Sequence, residues 1–440
     1  YGAAYGLTPA LYSGYSTYQP YAAYTSYYPG AGAYRYMTPN PYGYYQNGWI
    51  WGSSGSTYGR PFPVWNSPSG VYDYRYLGWG GYGWGGWGGW GGWGGWGGWG
   101  GGATMPTDPM QVRSQIVGRA ALVSTQMELT TQWQPQEGPY LRVPVPTSGD
   151  PKNLGRWSAT VRAASIQQAL QSGFHVEFDA ATETAWGLHL DKTASLRGES
   201  GHVGAAGVFS LQKPGEDDFA AQLALVFQAA TDQRKDRFEE VLAQNEFPWP
   251  LWAGPLNLQP GRHRHTIELI GHALNFTAAV YHRVKHEMAC IRPADRSPLI
   301  QPLLPTPEHG SLPSGHATES FMMATLLPAL AGQASDSPLA HHLQRQADQI
   351  AHNRVIAGLH FPVDSQAGRA LGTALARYLM RRAGLAAEGG IAWSGVGVGS
   401  KPFRLDQKLD PLDPADATGK IEPDPLWKWL WDQTVGEFKQ

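Results

Sequence analysis

The sequence predicts a mainly α-helical protein, a helical bundle that carries a long extended arm at its N-terminus. After residue 103, apolar residues recur at helical spacing in four long segments, and alternating strand patterns are scarce. Before that point, residues 1–103 contain only four charged side chains but 28 of the 56 glycines and 19 of the 22 tyrosines. A segment of that composition cannot build an ordinary hydrophobic core.

The arm contains two aromatic series with a period of three residues, tyrosines from Tyr12 to Tyr27 and tryptophans from Trp84 to Trp99. A strand has a period of two, and the Gly-Gly pairs between the tryptophans oppose an α-helix. A polyproline-II-like helix has three residues per turn and would align the rings on one edge. A disordered low-complexity linker is the alternative. We expect the arm to become ordered by self-assembly, with carbohydrate stacking on the tryptophans as a further alternative.

Composition excludes several classes of function. A net charge of −2 without a basic block argues against nucleic-acid binding. No apolar run reaches the roughly 18 residues of a membrane-spanning helix, so no transmembrane segment is expected. The single cysteine, Cys290, allows neither an intramolecular disulfide nor a cysteine metal cluster. The chain begins with Tyr1 rather than Met, which fits removal of a secretory signal, so we expect a secreted or cell-surface protein.

The body, residues 104–385, is predicted to contain four long helices behind a long loop and a short strand region. The helices are expected at residues 264–289, 314–332, 337–358 and 362–382. Prolines in the first turns of the last two suit a helix start. Strand candidates are residues 141–145 and 203–211, and Pro144 confines the first to a sheet edge. Residues 386–440 form a C-terminal tail whose tryptophans are expected to dock on the body or on another subunit.

Cationic and imidazole side chains concentrate at the ends of these predicted helices. Three segments carry them: Lys285 with Arg292-Pro293, then Pro313-Ser314-Gly315-His316, then Arg354 with His360 and Asp364. A helix start at Ser314 directs free backbone N–H groups outward, and three cationic side chains nearby would complement a tetrahedral oxyanion. One histidine can attack or ligate the central atom while the other moves protons, and Asp364 can fix an imidazole tautomer.

The three segments agree at ten positions, in order and spacing, with a known signature. They resemble the superfamily that unites vanadium-dependent haloperoxidases, type 2 phosphatidic acid phosphatases and bacterial class A acid phosphatases. The resemblance implies a haloperoxidase-like helical body over about residues 264–382 and does not extend to the arm. Asn353 departs from it, because the phosphatase pattern usually has serine before the arginine.

The resemblance also implies a role for each matched residue. His360 corresponds to the histidine that bonds vanadium in the peroxidases and attacks phosphorus in the phosphatases, and His316 corresponds to the acid/base histidine. The groups that would hold the oxygens of vanadate are Lys285, Arg292, Ser314, Gly315, Arg354 and His360. Lys285, Asp364 and His309 complete the expected catalytic set. His309 resembles the second pocket histidine of bromide-using peroxidases, although soluble phosphatases can also carry histidine there.

Three functional hypotheses follow. The first is a vanadate-dependent haloperoxidase that oxidises a halide, with bromide favoured, and uses hydrogen peroxide as the oxidant. Phosphate is possible in place of vanadate in the site. The second is a soluble acid phosphatase that hydrolyses a phosphate ester through a phosphohistidine at His360, with His316 protonating the leaving group. The third is a subunit of an extracellular filament or surface assembly that displays this fold.

Overall fold

The computed structural model describes residues 146–190, 205–245, 247–413 and 419–439. The predicted arm at residues 1–103 and the predicted strand at 141–145 lie outside the described residues. The described helices are α1 (Ala159–Gln171), α2 (Glu216–Ala243), α3 (Trp249–Ala253), α4 (Arg264–Met288), α5 (Pro293–Arg296), α6 (Gly315–Leu330), α7 (Pro338–Ile356), α8 (Pro362–Arg382) and α9 (Pro425–Glu437). The described strands are β1 (Phe174–Asp179), β2 (Thr184–Leu190), β3 (Ala205–Gln212), β4 (Ile391–Ser394) and β5 (Asp410–Pro411). The predicted mainly helical class is confirmed.

The four long predicted helices, α4, α6, α7 and α8, are present with ends within two residues of the expected ones. Their starts are encoded locally. Ser314 caps α6 by accepting a hydrogen bond from the Ala317 amide, and Ser337 caps α7 in the same way. Proline occupies the first position of α7 and α8, where its missing N–H is not needed.

The described residues before α4, from residue 146 onward, differ from the long loop that the sequence suggested. They fold into α1, three strands and the 28-residue α2. Only the third strand was predicted, at residues 203–211, and it is confirmed as β3. The apolar stripe of α2 is difficult to recognise in the sequence, because most of its surface is polar and few of its residues are buried.

One five-stranded sheet, with strands in the order β1-β2-β3-β4-β5, lies against the helices. All neighbouring pairs are antiparallel except β3 and β4, which are parallel. Gly187 in β2 gives the Phe209 ring its place, since a Cβ there would lie 2.2 Å from that ring. β4 joins the C-terminal segment to the same sheet as β3.

Helices α4, α6 and α8 form the centre of the body. Gly368 and Gly372 bring α8 very close to α6, because a Cβ on Gly372 would lie 2.3 Å from the Thr318 carbonyl oxygen. The tail helix α9 docks its aromatic face on this body, as expected, and the Trp427 indole donates to the Leu379 carbonyl at 2.8 Å. Within the described ranges, none of the helices combines the length and the apolar character needed to cross a membrane.

Candidate active site

The fold brings the three predicted segments together at one end of the helical body. Arg292 precedes α5, Ser314 starts α6, and His360 lies just before α8. The Arg292 Nη1 atom lies 3.4 Å from His360 Nε2, and the Ser314 amide donates to the Asp364 carbonyl at 3.0 Å. Residues from all three segments, namely Arg292, Ser314, His360 and Asp364, therefore lie close together.

His360 and Asp364 form a buried pair. The His360 Nδ1 atom lies 3.0 Å from Asp364 Oδ2, which also accepts from the Phe361 amide at 2.9 Å. Burial raises the pKa of Asp364 to about 6, opposed by the Phe361 amide and the nearby cations. At neutral pH the carboxylate is thus an acceptor, so Nδ1 carries the imidazole proton and Nε2 keeps its lone pair.

The same surroundings keep His360 neutral. Burial holds the pKa of its imidazole well below the usual range, and the charges of Arg292 and Lys285 act in the same direction. These charges can act on His360 only because the fold places them around it. A neutral imidazole with a lone pair facing a cationic group can act as a nucleophile or as a ligand to an electrophilic centre.

Backbone carbonyls hold Lys285 and Arg292 in place. The Lys285 ammonium donates to the carbonyls of Gly310 at 2.8 Å and Ser311 at 3.1 Å. Burial, and then the charge of Arg292, lower the pKa of Lys285 well below its usual value. Arg292 donates through Nη1 to the Leu359 carbonyl at 2.8 Å. Burial lowers the pKa of Arg292 to about 10, which leaves the guanidinium charged at neutral pH.

Arg354 at the end of α7 is fully buried and only partly hydrogen-bonded. Its Nη2 atom donates to the Val241 carbonyl at 3.0 Å, whereas its Nε and Nη1 atoms have no hydrogen-bond partner. Burial lowers its pKa to about 10, so this side chain also remains a cation. Buried N–H groups of a charged side chain that lack acceptors are costly, and an oxyanion would supply those acceptors.

The turn at Ser314 and Gly315 completes the anion-binding cradle formed by Lys285, Arg292 and Arg354. Ser314 is buried and caps α6, and the first-turn amides of a helix need acceptors from outside it. Gly315 lies under Tyr281, because a Cβ there would be 3.2 Å from the tyrosine ring. The combined donors suit the oxygens of a tetrahedral or trigonal-bipyramidal oxyanion, so the residues present fit vanadate or phosphate.

His316 is partly buried, and a helix that the sequence had not connected with the site helps to hold it. Its Nε2 atom lies 3.0 Å from the Gln244 carbonyl oxygen, at the end of α2. A carbonyl can only accept, so Nε2 carries the proton in this arrangement. No spacing pattern could have revealed this contact, because the acceptor belongs to the backbone.

His309 lies at the rim, with part of its surface exposed. Its Nδ1 atom is 3.2 Å from Arg292 Nη2, and its ring meets the His282 ring edge to face at 4.8 Å between centroids. Desolvation by the surrounding atoms, and then the charges of Lys285 and His282, lower its pKa far below the usual range. His309 therefore adds a neutral imidazole to the rim.

The described residues contain no group of three or more His, Cys, Asp or Glu side chains suited to a metal cation. The site is instead a cationic cradle around the imidazole of His360. His360 would be the residue to bond a vanadium atom there, while the cradle would hold its oxygens.

A buried cationic cradle, a neutral imidazole and a second histidine form a class of site that is suited to binding a tetrahedral oxyanion. The family comparison is consistent with that class: residues 269–385 match the PAP2 superfamily model. This segment is similar to that superfamily, which includes vanadium haloperoxidases and type 2 phosphatidic acid phosphatases and whose members are generally enzymes. The match covers every residue of the predicted signature. Comparison with curated proteins gives no significant match.

Proposed function

We propose that the protein is a vanadate-dependent haloperoxidase that uses hydrogen peroxide to oxidise a halide, with bromide favoured. One observation carries the proposal: the lone pair of His360 Nε2 faces the buried Arg292 guanidinium at 3.4 Å, while buried N–H groups of Arg354 lack acceptors. Vanadate, when bound, supplies an electrophilic oxyanion centre that activates peroxide.

The residues of the chain have separable tasks in this proposal. Lys285, Arg292 and Arg354 neutralise the oxyanion and orient its oxygens, together with the amides at the start of α6. Asp364 holds the His360 Nδ1 proton, which would leave the Nε2 lone pair available to the central atom of a bound oxyanion. His316 holds its proton at Nε2 against the Gln244 carbonyl, which orients the ring for proton exchange.

The rim of the site supports halide as the second substrate. The cations of the cradle attract anions, and the rim adds the ring of His309, whose pKa is lowered, and the ring of His282. Ring edges carry partial positive charge and offer a polarisable surface. Bromide is more polarisable than chloride and loses hydration more readily, so such a rim favours it.

Phosphomonoester hydrolysis is the second candidate, supported by the same lone pair on His360. In this reaction Nε2 attacks phosphorus, the bond to the leaving oxygen breaks, and His316 donates the proton that the leaving group needs. Water then cleaves the phosphohistidine and releases phosphate. Secretion and self-assembly of residues 1–103 into a filament or surface layer are further proposals, and both rest on the sequence alone.

A paired assay tests the main proposal. Bromination of a phenol dye with vanadate, peroxide and bromide is compared with hydrolysis of an aryl phosphate without vanadate. His360→Ala should abolish bromination. His342→Ala removes an exposed histidine of α7 and should leave the rate unchanged. Phosphate hydrolysis without bromination would reverse the order of the two candidates, and loss of neither activity in His360→Ala would contradict both.

A further inference from the structure

The last turn of α2 contacts two residues of the candidate site through backbone carbonyls. The Gln244 carbonyl accepts from His316 Nε2 at 3.0 Å, and the Val241 carbonyl accepts from Arg354 Nη2 at 3.0 Å. Carbonyls at the C-terminal end of a helix carry partial negative charge and seek donors outside the helix. The orientation of a histidine and of a guanidinium group thus depends on where this one turn lies.

Two buried amide side chains fix that turn against α7. Asn353 donates through Nδ2 to Gln244 Oε1 at 2.9 Å and accepts from Arg237 Nη1 at 3.0 Å. Gln244 in turn donates through Nε2 to Glu240 Oε1 at 3.2 Å. Asn353 is 0% exposed and Gln244 is 1% exposed, so these bonds are shielded from water. Asn353 directly precedes Arg354, which couples the amide pair to the cradle.

We propose that Gln244 and Asn353 are positioning residues, which fix the last turn of α2 so that its carbonyls orient His316 and Arg354 for the reaction. The inference rests on the proposed function of this site. It adds two residues to the site: Gln244, which lies outside the matched PAP2 segment, and Asn353, which departs from the usual serine. Serine is too short to reach both Gln244 and Arg237, so asparagine is the residue that allows this connection.

The test replaces Asn353 in the full chain and follows His316 directly. Asn353→Leu keeps the size and removes both hydrogen bonds, and Asn353→Ser is a smaller change that preserves folding more readily. The control is Gln233→Ala, which deletes another hydrogen bond between α2 and α7, the 3.2 Å contact of Gln233 with His352. This bond lies three turns before the turn that holds the site.

Nitrogen-15 NMR of His316 reports which ring nitrogen carries the proton. Calorimetry with inorganic phosphate measures the affinity of the cradle for an anion. In both Asn353 variants we expect His316 to lose its fixed Nε2-protonated form and the phosphate Kd to rise about 10-fold, as is typical for supporting residues. Gln233→Ala should retain the NMR signature and the Kd of the unmodified protein.

Two results would overturn the positioning role. One is an unchanged His316 signature and phosphate affinity in Asn353→Ser. The other is an equal change in Gln233→Ala, because the effect would then follow from a general loss of contact between the helices. If the unmodified protein neither brominates nor hydrolyses phosphate esters, the proposed function fails, and the NMR signature still decides whether Asn353 positions His316.

Discussion

At the scale of single residues, the orientation of His360 depends on one oxygen atom of Asp364. Its Oδ2 atom accepts from both His360 Nδ1 and the Phe361 amide, so one carboxylate orients the imidazole and starts α8. The carboxylate is also the negative charge that the cations Lys285 and Arg292 act on. A neutral replacement keeps the shape of this side chain but loses the charge.

Asp364→Asn is expected to lower kcat/KM by about 10- to 100-fold, the usual effect of losing a residue that orients a reactive histidine. The amide no longer holds the Nδ1 proton by its charge, so the tautomer with a lone pair at Nε2 becomes less populated. The preferred assay is whichever of the two activities the unmodified protein shows. Asp432→Asn, an exposed carboxylate on α9, is the control for charge. Equal rates for Asp364→Asn and the unmodified protein would exclude the orienting role.

Cys290 provides a pH-dependent prediction. Burial raises the pKa of its thiol to about 12, above the ordinary value of roughly 8.5 that applies in the unfolded chain. Because the folded pKa is the higher one, this group's contribution to stability is complete below about pH 8.5 and declines as pH rises toward 12. The denaturant concentration at the midpoint of unfolding should therefore fall as the pH rises from 8 to 10. In Cys290→Ala this midpoint should fall less. An equal fall in both proteins would contradict the assigned pKa.

At the scale of elements, the site depends on the close contact of α6 with α8. His316 begins the first of these helices, and His360 and Asp364 begin the second. Gly368 and Gly372 allow the contact, since a Cβ on either would lie under 3.0 Å from α6 atoms. Separation of the two helices would therefore also separate the proposed catalytic groups.

Gly372→Ala is expected to lower the free energy of unfolding by about 1–3 kcal/mol, the usual cost of overpacking a core. At a helical position that has free space around it, replacing glycine by alanine would instead stabilise the helix. Gly436→Ala in α9 provides that comparison, because a Cβ there meets open space. In Gly372→Ala, both the midpoint of chemical denaturation and the activity should fall. An unchanged midpoint would mean that α6 and α8 are not packed as closely as described.

Local signals predicted the four long helices, because serine caps, first-turn prolines and helical periodicity act within a few residues. The candidate site was predicted from the cationic and imidazole residues at the ends of these helices, together with the family resemblance. Strands β1 and β2 escaped prediction since their stability comes from pairing with each other and with β3. The contacts of α2 with the site could not be predicted for a different reason. Its acceptors are the carbonyls of Val241 and Gln244, and any residue type supplies a carbonyl.

At the scale of the whole molecule, the buried cations make the fold sensitive to anions. Lys285, Arg292 and Arg354 are each 2% exposed or less, and their desolvation opposes folding. An anion that binds only the folded cradle must shift the equilibrium toward the folded state.

Inorganic phosphate at 100 times its Kd should therefore stabilise the protein by about 2.7 kcal/mol. Arg354→Met, which keeps length but removes the unpaired N–H groups, should lose most of this stabilisation while folding on its own. Thermal unfolding with increasing phosphate, at ionic strength fixed with sodium chloride, measures both. Equal stabilisation by phosphate and chloride would show that general screening, and not the cradle, is responsible.

The predicted assembly of the arm is separable from catalysis, since every predicted site residue follows residue 284. Replacing the six tryptophans of the series from Trp84 to Trp99 by serine should reduce the sedimenting mass and change kcat/KM by less than about twofold. Each buried tryptophan contributes about 4–6 kcal/mol of apolar burial before ordering costs, so losing six should abolish self-association. A control chain keeps the composition but exchanges three of the tryptophans with neighbouring glycines, which breaks the three-residue period. If that control assembles as well as the native sequence, hydrophobicity and not periodicity drives association. If the native chain sediments as a monomer at every concentration, the assembly proposal fails.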